Sequence, residues 1–187
     1  MSNVAIQHGS GKTLGSYAVV AWTRNLILIP GVLWLSLIII IQIAGGAAAP
    51  DSDAFPNSCP EDAQNCYRIA DEPYGTTETR VFLNASSSDI REVAIAWVES
   101  QPRTTTALDD GGNEFHVVFR TKLMLFPDDL FLQVGCTDEF GYLVVHSESR
   151  LGASDLGVNE ARVNDLTTYL ENYDFGPFTE CIPPPVA

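Results

Sequence analysis

The sequence predicts an α+β fold: an antiparallel sheet of about five strands with two helices packed on one face, preceded by one transmembrane helix. Three observations support this prediction. An uncharged apolar segment covers residues 26–49, four strand-like runs are joined by short turn-rich connections, and two further segments place apolar residues at helical spacing. Short connections favour antiparallel neighbours, and helices that cover one face of such a sheet define an α+β domain.

The apolar segment is long enough to span a membrane. Between residues 26 and 43 the clearly polar side chains are Ser36 and Gln42, and a helix of this length extends about 27 Å, close to the thickness of a bilayer core. We therefore predict a transmembrane helix at residues 25–45. A cleaved signal peptide is the alternative, because the three alanines that end at Ala49 have the small side chains of a cleavage site.

The charges around this segment predict its orientation. Lys12 and Arg24 precede it, whereas all 24 acidic residues and the remaining 8 of the 10 basic residues follow it. Positive residues next to a span stay in the cytoplasm, so the C-terminal part is expected outside. The predicted organisation is a short cytoplasmic tail at residues 1–24, the transmembrane helix, a tether at 46–58, an extracytoplasmic domain at 59–176, and a Pro-rich tail at 177–187.

The cysteines agree with an oxidising compartment outside the cytoplasm. All four follow the apolar segment, and an even number of cysteines in such a space predicts disulfides. We expect Cys59 to pair with Cys66, because the two are close in sequence, and Cys136 to pair with Cys181. The spacing of the first pair is not that of a zinc knuckle. Asn84 begins an Asn-Ala-Ser triplet, which is a candidate glycosylation site.

The acidic composition restricts the partners of the chain. Its formal net charge is −14, which disfavours nucleic acid and anionic lipid head groups as partners. Such a charge could attract a basic partner or cations, but solubility in high salt, or a host whose proteins are generally acidic, explains the acidity without a ligand. The predicted partners are membrane lipid, through residues 25–45, and a second membrane protein as a further candidate. No cofactor is predicted.

The elements of the domain follow from its apolar positions and turns. Asp89 and Glu92 have the spacing of a capping box, which predicts that a helix begins at Asp89 and ends before Pro102. Strands are predicted at 81–83, 104–108, 115–125, 130–136 and 142–149, and a last helix from about Asn159. The helix faces expected in the core contain Ile90, Val93, Ala94 and Trp97 in the first helix, and Val163, Leu166, Leu170 and Tyr173 in the last.

The strand predicted at 115–125 indicates one covered face of the sheet. The apolar residues from Phe115 onward alternate with a second set that includes Arg120 and Lys122. Since successive side chains of a strand point to opposite faces, the second set is expected on the wetter face.

The connection between the last strand and the last helix carries a motif. Residues 147–159 read Ser-Glu-Ser-Arg-Leu-Gly-Ala-Ser-Asp-Leu-Gly-Val-Asn, which resembles the Ser-x-Ser-Arg and Gly-x-Ser-Asp-x-Gly-x-Asn signature of the domain of unknown function 1499 family. The family's Phe-x-Asp-Asp element is similar to residues 126–129, and its Cys…Asn-Cys element to Cys59 with Asn65-Cys66. The resemblance covers about residues 56–173. It implies the fold of the family but no activity, because that activity is unassigned.

The motif and the two aspartates before it are the candidate ligand-binding site. Arg150 near the start of a helix could hold a carboxylate or phosphate, and Asp128 and Asp129 with Asp155 could offer oxygen ligands to a cation. A structural interpretation is open for each of them, since Asp155 can cap the helix and Arg150 can pair with an aspartate. The candidate residues are Ser147, Ser149, Arg150, Ser154, Asp155, Asn159, Asp128 and Asp129.

No catalytic residue and no metal site is predicted. His146 and Glu148 share one strand face and His116 could approach them, but a metal site would need all three to converge. The leading hypothesis is a membrane-anchored extracytoplasmic domain that acts as a structural or binding module at the envelope or a membrane complex. The alternatives are an envelope enzyme or small anion- or ion-binding domain that uses the Arg150 loop, and an assembly subunit whose anchor contacts other membrane helices.

Overall fold

The computed structural model describes residues 14–70, 80–109, 111–176 and 180. The chain divides into two units, Met1–Ile40 and Ile41–Ala187. In chain order the elements are α1 (Leu14–Ala47), β1 (Cys66–Ile69), β2 (Val81–Leu83), α2 (Ser87–Ser100), β3 (Thr104–Asp109), β4 (Glu114–Arg120), β5 (Pro127–Cys136), β6 (Gly141–Ser149) and α3 (Val158–Glu171).

The first helix, α1, contains the predicted span. Its segment Leu28–Ala47 has a mean hydropathy of 2.3 and is long and apolar enough to cross a membrane. Most of its large apolar side chains, such as Leu33 and Ile40, are exposed, which is typical of a surface that another apolar medium or molecule covers. A signal sequence near the N-terminus meets the same criteria of length and hydropathy, so both interpretations of the segment are compatible with the helix.

All described strands belong to one antiparallel sheet, and the predicted α+β class is confirmed. The strand order is β1-β6-β5-β4-β3, and β2 also pairs with β6. The strands β1 and β2 lie along the same edge of β6, opposite residues 145–148 and 141–143 respectively. The sheet therefore has six strands rather than about five. Sequence patterns missed β1 because it is four residues long and contains Arg68, which is buried despite its charge.

The helices α2 and α3 cover one face of the sheet and enclose the main core. The predicted apolar faces are buried, except that Tyr173 lies beyond the end of α3 and is exposed. The helix α2 begins two residues earlier than predicted, because the side chain of Ser86, not Asp89, caps it by accepting a hydrogen bond from the Asp89 amide at 3.1 Å. The core of this face includes Ile90, Trp97, Phe115, Leu130, Leu132, Leu143, Val145, Val163, Leu166 and Leu170.

The opposite face of the sheet is also covered, so the prediction of a wetter face is wrong there. His116, Val118 and Phe131 are buried on this face. The segment before β1 lies across it: the amide of Phe55 donates to Glu114 Oε2 at 3.1 Å, and the Phe55 ring stands edge-on to His146. The long strand predicted to reach Leu125 ends at Arg120, where a turn with backbone hydrogen bonds begins.

The predicted disulfide between Cys59 and Cys66 is confirmed. It fixes the segment that precedes β1 to the first residue of that strand. Cys136 is also disulfide-bonded, while Cys181, its predicted partner, lies outside the described residues, as do Lys12 and the tail at 181–187. Asn84 is exposed directly after β2, and its glycosylation stays a prediction.

Candidate functional site

The motif residues lie beside the beginning of β5. In the antiparallel register Asp128 is opposite Ser149 and Asp129 is opposite Glu148. The two parts of the predicted site are therefore brought together by one pair of strands. Because neighbouring residues of a strand face opposite sides, Asp128 points to the helix-covered face and Asp129 to the face crossed by the segment before β1.

On the helix-covered face Asp128 is held by an arginine of α3. Its Oδ2 atom accepts from Arg162 Nη2 at 2.7 Å, and its Oδ1 atom accepts from the Ser149 hydroxyl at 2.6 Å. Sequence reasoning missed Arg162. Its position three residues after Asn159 places both on the same side of α3, and this spacing is the signal that could have indicated it.

Asn159 connects this arginine to the end of β6. Its Oδ1 atom accepts from the Ser147 hydroxyl at 2.7 Å and from Arg162, and its Nδ2 atom donates to Ser149 Oγ at 3.0 Å and to the Asn65 carbonyl at 2.9 Å. These contacts join β5, β6, α3 and the residue before β1. We call the set the helix-face network; its members are Asp128, Ser147, Ser149, Asn159 and Arg162.

On the other face Asp129 is buried among polar partners of its own. Arg150 donates to both of its oxygens, from Nε to Oδ2 and from Nη2 to Oδ1, each at 2.7 Å. A hydrogen bond of 2.6 Å joins Oδ1 to Nε2 of His116, and the other ring nitrogen of His116 lies 2.7 Å from Asp53 Oδ1. We call this set the linker-face network; its members are Asp53, His116, Asp129 and Arg150.

The linker-face network favours charged Asp129 and Arg150. Burial, the largest single effect, raises the pKa of Asp129, but the hydrogen bonds and charges of Arg150 and His116 together hold this pKa below its ordinary value of 3.8. The hydrogen bond to Asp129 raises the pKa of Arg150 above its ordinary value; burial opposes this shift, and the charges of Asp129 and Asp53 add to it. The pair is therefore an ion pair at neutral pH.

Arg150 also contacts the end of the apolar helix. Its Nη1 atom donates to the Gly45 carbonyl at 3.3 Å, and the last carbonyls of a helix lack partners within the helix. Gly45 packs against Pro127 so closely that a Cβ atom there would lie 2.3 Å from Pro127 Cγ. Arg150 thus joins the end of α1 to the buried carboxylate at the start of β5.

Gln42 makes a second contact between this part of α1 and the domain. Its Nε2 atom donates to the Leu125 carbonyl at 2.7 Å, and its Oε1 atom accepts from Arg120 Nε at 3.4 Å. Gln42 is one of the two clearly polar residues between residues 26 and 43, and its amide group is satisfied by the last residue of β4 and by the connection between β4 and β5. The contacts of Gln42 and Gly45 hold residues 41–47 against the domain.

Asp155 lies two residues before Gly157, the N-cap residue of α3, and its carboxylate binds backbone amides at the start of that helix. It accepts hydrogen bonds from the amides of Asn159 at 2.6 Å and Gly157 at 3.0 Å. Ser154, in the same loop as Asp155, forms an isolated backbone bridge with Gln64, which lies shortly before β1. The three carboxylates proposed for a cation, those of Asp128, Asp129 and Asp155, are therefore bound by different protein groups and do not converge. Ligand binding by the eight candidate residues stays a prediction.

The two histidines near the sheet centre are separated by Phe131. The His116 ring stacks on Phe131 at 4.0 Å between centroids, and His146 contacts its edge. His146 instead approaches the disulfide: its Nε2 atom lies 3.5 Å from Cys66 Sγ, and Cys59, Cys66 and His146 are spaced like metal ligands. In the described state the two sulfurs are joined to each other, so they are not the thiolates that bind zinc.

Comparisons with known proteins give one family match. Residues 56–170 match the family described as "Protein of unknown function (DUF1499)". The search of curated proteins found no match, and neither did the search of solved structures. The matched residues contain all six strands, α2 and all but the last residue of α3. They also contain every member of the helix-face network, whereas Asp53 and Gly45 precede them.

Proposed function

Because the chain belongs to the family described as "Protein of unknown function (DUF1499)", whose description names no activity, we propose a function from the geometry of the site. The chain is a single-pass membrane protein. Its C-terminal domain lies outside the cytoplasm and acts as a structural or binding module at the envelope or in a membrane complex, without chemistry of its own.

The observation that carries this proposal is the position of Arg150, the arginine of the family motif. Its guanidinium group is bound by Asp129 on one side and by the carbonyl of Gly45, near the end of the apolar helix, on the other. A bidentate arginine–carboxylate pair is geometrically specific. A substrate that binds Arg150 would have to displace these contacts. A structural role, in which Arg150 fixes the domain to the end of its own anchor, requires no change in them.

The disulfide and the charge distribution support a location outside the cytoplasm. The bond between Cys59 and Cys66 is of a kind that persists in oxidising compartments, and Lys12 and Arg24 are positive residues on the other side of the apolar segment. The rival prediction is an envelope enzyme that uses Arg150, Asp155 and Asp129. It requires these groups to leave their present partners, and no contact among the described residues favours it.

The experiment is a topology assay on the full chain in its native membrane. We expect the protein to stay in the membrane after alkaline extraction, and its domain to be digested by protease added outside intact cells. A membrane-impermeant maleimide should label the cysteines only after reduction. Release by alkaline extraction would show that the apolar segment is no anchor. Protection of the domain from external protease, together with labelling that needs no reductant but occurs only after the membrane is permeabilised, would place it in the cytoplasm and contradict the proposal.

A further inference from the structure

The basic residues of this acidic chain are concentrated around one cavity. Eight basic residues follow residue 24, and four of them line a cavity of about 320 Å³ between α2, β4 and α3: Arg103, Arg120, Lys122 and Arg162. Asp165 also lines it, and its carboxylate accepts a hydrogen bond from the Trp97 indole at 3.2 Å. The formal net charge of −14 disfavours anionic lipid head groups for the chain as a whole, but this clustering creates a local anion-attracting surface on the domain.

Two of the four cations are available to a ligand at the mouth of the cavity. Lys122 and Arg103 are exposed, and Lys122 has no hydrogen-bond or ion-pair partner among the described residues. Within the described part of the chain, Arg103 donates through its Nε atom alone, to the Arg120 carbonyl at 3.0 Å. The other two cations are held within the protein, since Arg162 is bound to Asp128 and Arg120 to Thr105 and Gln42.

An apolar groove adjoins the basic cavity. It has a volume of about 480 Å³ and shares Thr121, Lys122 and Val158 with the cavity. Its apolar lining includes Leu123, Met124, Phe126, Leu151 and Leu156.

Two leucines at this groove are turned toward solvent. Leu123 is 69% exposed and Leu156 is 95% exposed. The backbone of Leu156 has a φ of 58°, which an ordinary side chain rarely adopts. Large apolar side chains that are exposed beside a groove are typical of a surface that binds an apolar ligand or partner.

The groove and the cavity adjoin the end of the predicted anchor. The connection between β4 and β5 supplies Lys122 and Leu123. In the same connection, the Leu125 carbonyl accepts a hydrogen bond from Gln42. Pro127, which follows the connection, packs on Gly45. Both Gln42 and Gly45 belong to the candidate span Leu28–Ala47. The connection that carries Lys122 and Leu123 therefore contacts residues 42 and 45 near the end of the candidate span, within one unit of the chain.

We propose that this surface binds one anionic phospholipid of the membrane that holds the anchor. The lipid phosphate lies at the mouth of the basic cavity near Lys122 and Arg103, and an acyl chain lies in the groove beside Leu123 and Leu156. The inference rests on the proposed membrane anchoring and adds a ligand to it. A cation beside an exposed apolar groove suits a phospholipid, which carries both a phosphate and a hydrocarbon chain.

The test is native mass spectrometry of the detergent-solubilised full chain, titrated with phosphatidylglycerol, phosphatidylcholine and inorganic phosphate. The double variant Arg103→Gln, Lys122→Gln should bind phosphatidylglycerol about 25-fold more weakly, since each of the two cations near an anionic lipid surface favours binding by about fivefold. The double variant Leu123→Ser, Leu156→Ser should weaken binding of both lipids. The matched control is Arg80→Gln, Phe82→Ser, at the opposite end of β6, and should bind like the parent.

Three outcomes would overturn the inference. They are equal binding of the two lipids, equal loss of binding in the control variant, and competition by inorganic phosphate as strong as that by phosphatidylglycerol. The last would identify a site for free anions. Alkaline extraction of the same membranes separates the two proposals: an anchored chain without lipid preference refutes only the lipid site, whereas a chain that is extracted refutes the anchoring.

Discussion

The two polar networks begin at neighbouring residues, Asp128 and Asp129, yet they hold different parts of the chain together. The helix-face network connects β5, β6 and α3, and all its members lie in the residues matched to the family. The linker-face network begins within those residues but reaches Asp53 and, through Arg150, the Gly45 carbonyl, which both precede them. Two adjacent residues of β5 therefore have different roles. The network of Asp128 lies within the domain, whereas the network of Asp129 attaches the domain to the preceding chain.

This difference predicts different consequences when each network is broken. A carboxylate that loses its arginine in the interior leaves an unpaired buried charge, which is costly wherever it occurs. Breaking the helix-face network lowers the free energy of unfolding of the domain. Breaking the linker-face network lowers it too, and also weakens the contacts that hold residues 41–56, so these residues can detach locally.

The largest effect is expected for Arg162→Ala. Asp128 is buried and the Arg162 side chain is only 9% exposed, and the removal of one partner of a buried pair costs about 3–5 kcal/mol. The free energy of unfolding of the full chain in detergent, measured by circular dichroism during unfolding in urea, should therefore fall by about 3–5 kcal/mol. Asp109→Asn breaks the exposed pair with Arg91 and should cost less than about 1 kcal/mol. Equal losses in the two variants would contradict a structural role for the helix-face network.

A smaller loss of stability is expected for Arg150→Ala, because His116 still faces the carboxylate of Asp129. Loss of the charged hydrogen bonds should cost about 2–3 kcal/mol. Limited proteolysis should also cut residues 46–58 faster than in Arg162→Ala at matched fractions of folded protein. Unchanged unfolding and unchanged proteolysis, together with loss of a cellular phenotype, would instead identify Arg150 as a ligand-binding or catalytic residue.

The smallest effect is a dependence of stability on acid pH. The pKa of Asp129 is lower in the folded chain than its ordinary value of 3.8, so the unfolded chain binds the proton more readily. The stability contributed by this carboxylate is thus complete above about pH 4 and is lost as the pH falls through the folded pKa. Unfolding curves of Asp129→Asn should lack this part of the pH dependence, whereas Asp53→Asn, at a half-exposed position, should keep it. Identical pH profiles for the parent and Asp129→Asn would refute the assignment.

The sequence by itself determined the class of the fold and the main helix faces. Periodicity located α2 and α3, short turns indicated antiparallel strands, and the spacing of Cys59 and Cys66 indicated their disulfide, because each of these signals is local. Only the tertiary structure placed Asp128 and Asp129 in separate networks and recruited Arg162 to one of them. It also covered the second face of the sheet with the segment around Phe55. Those arrangements depend on strand register and on contacts between distant segments, which residue spacing along the chain does not encode.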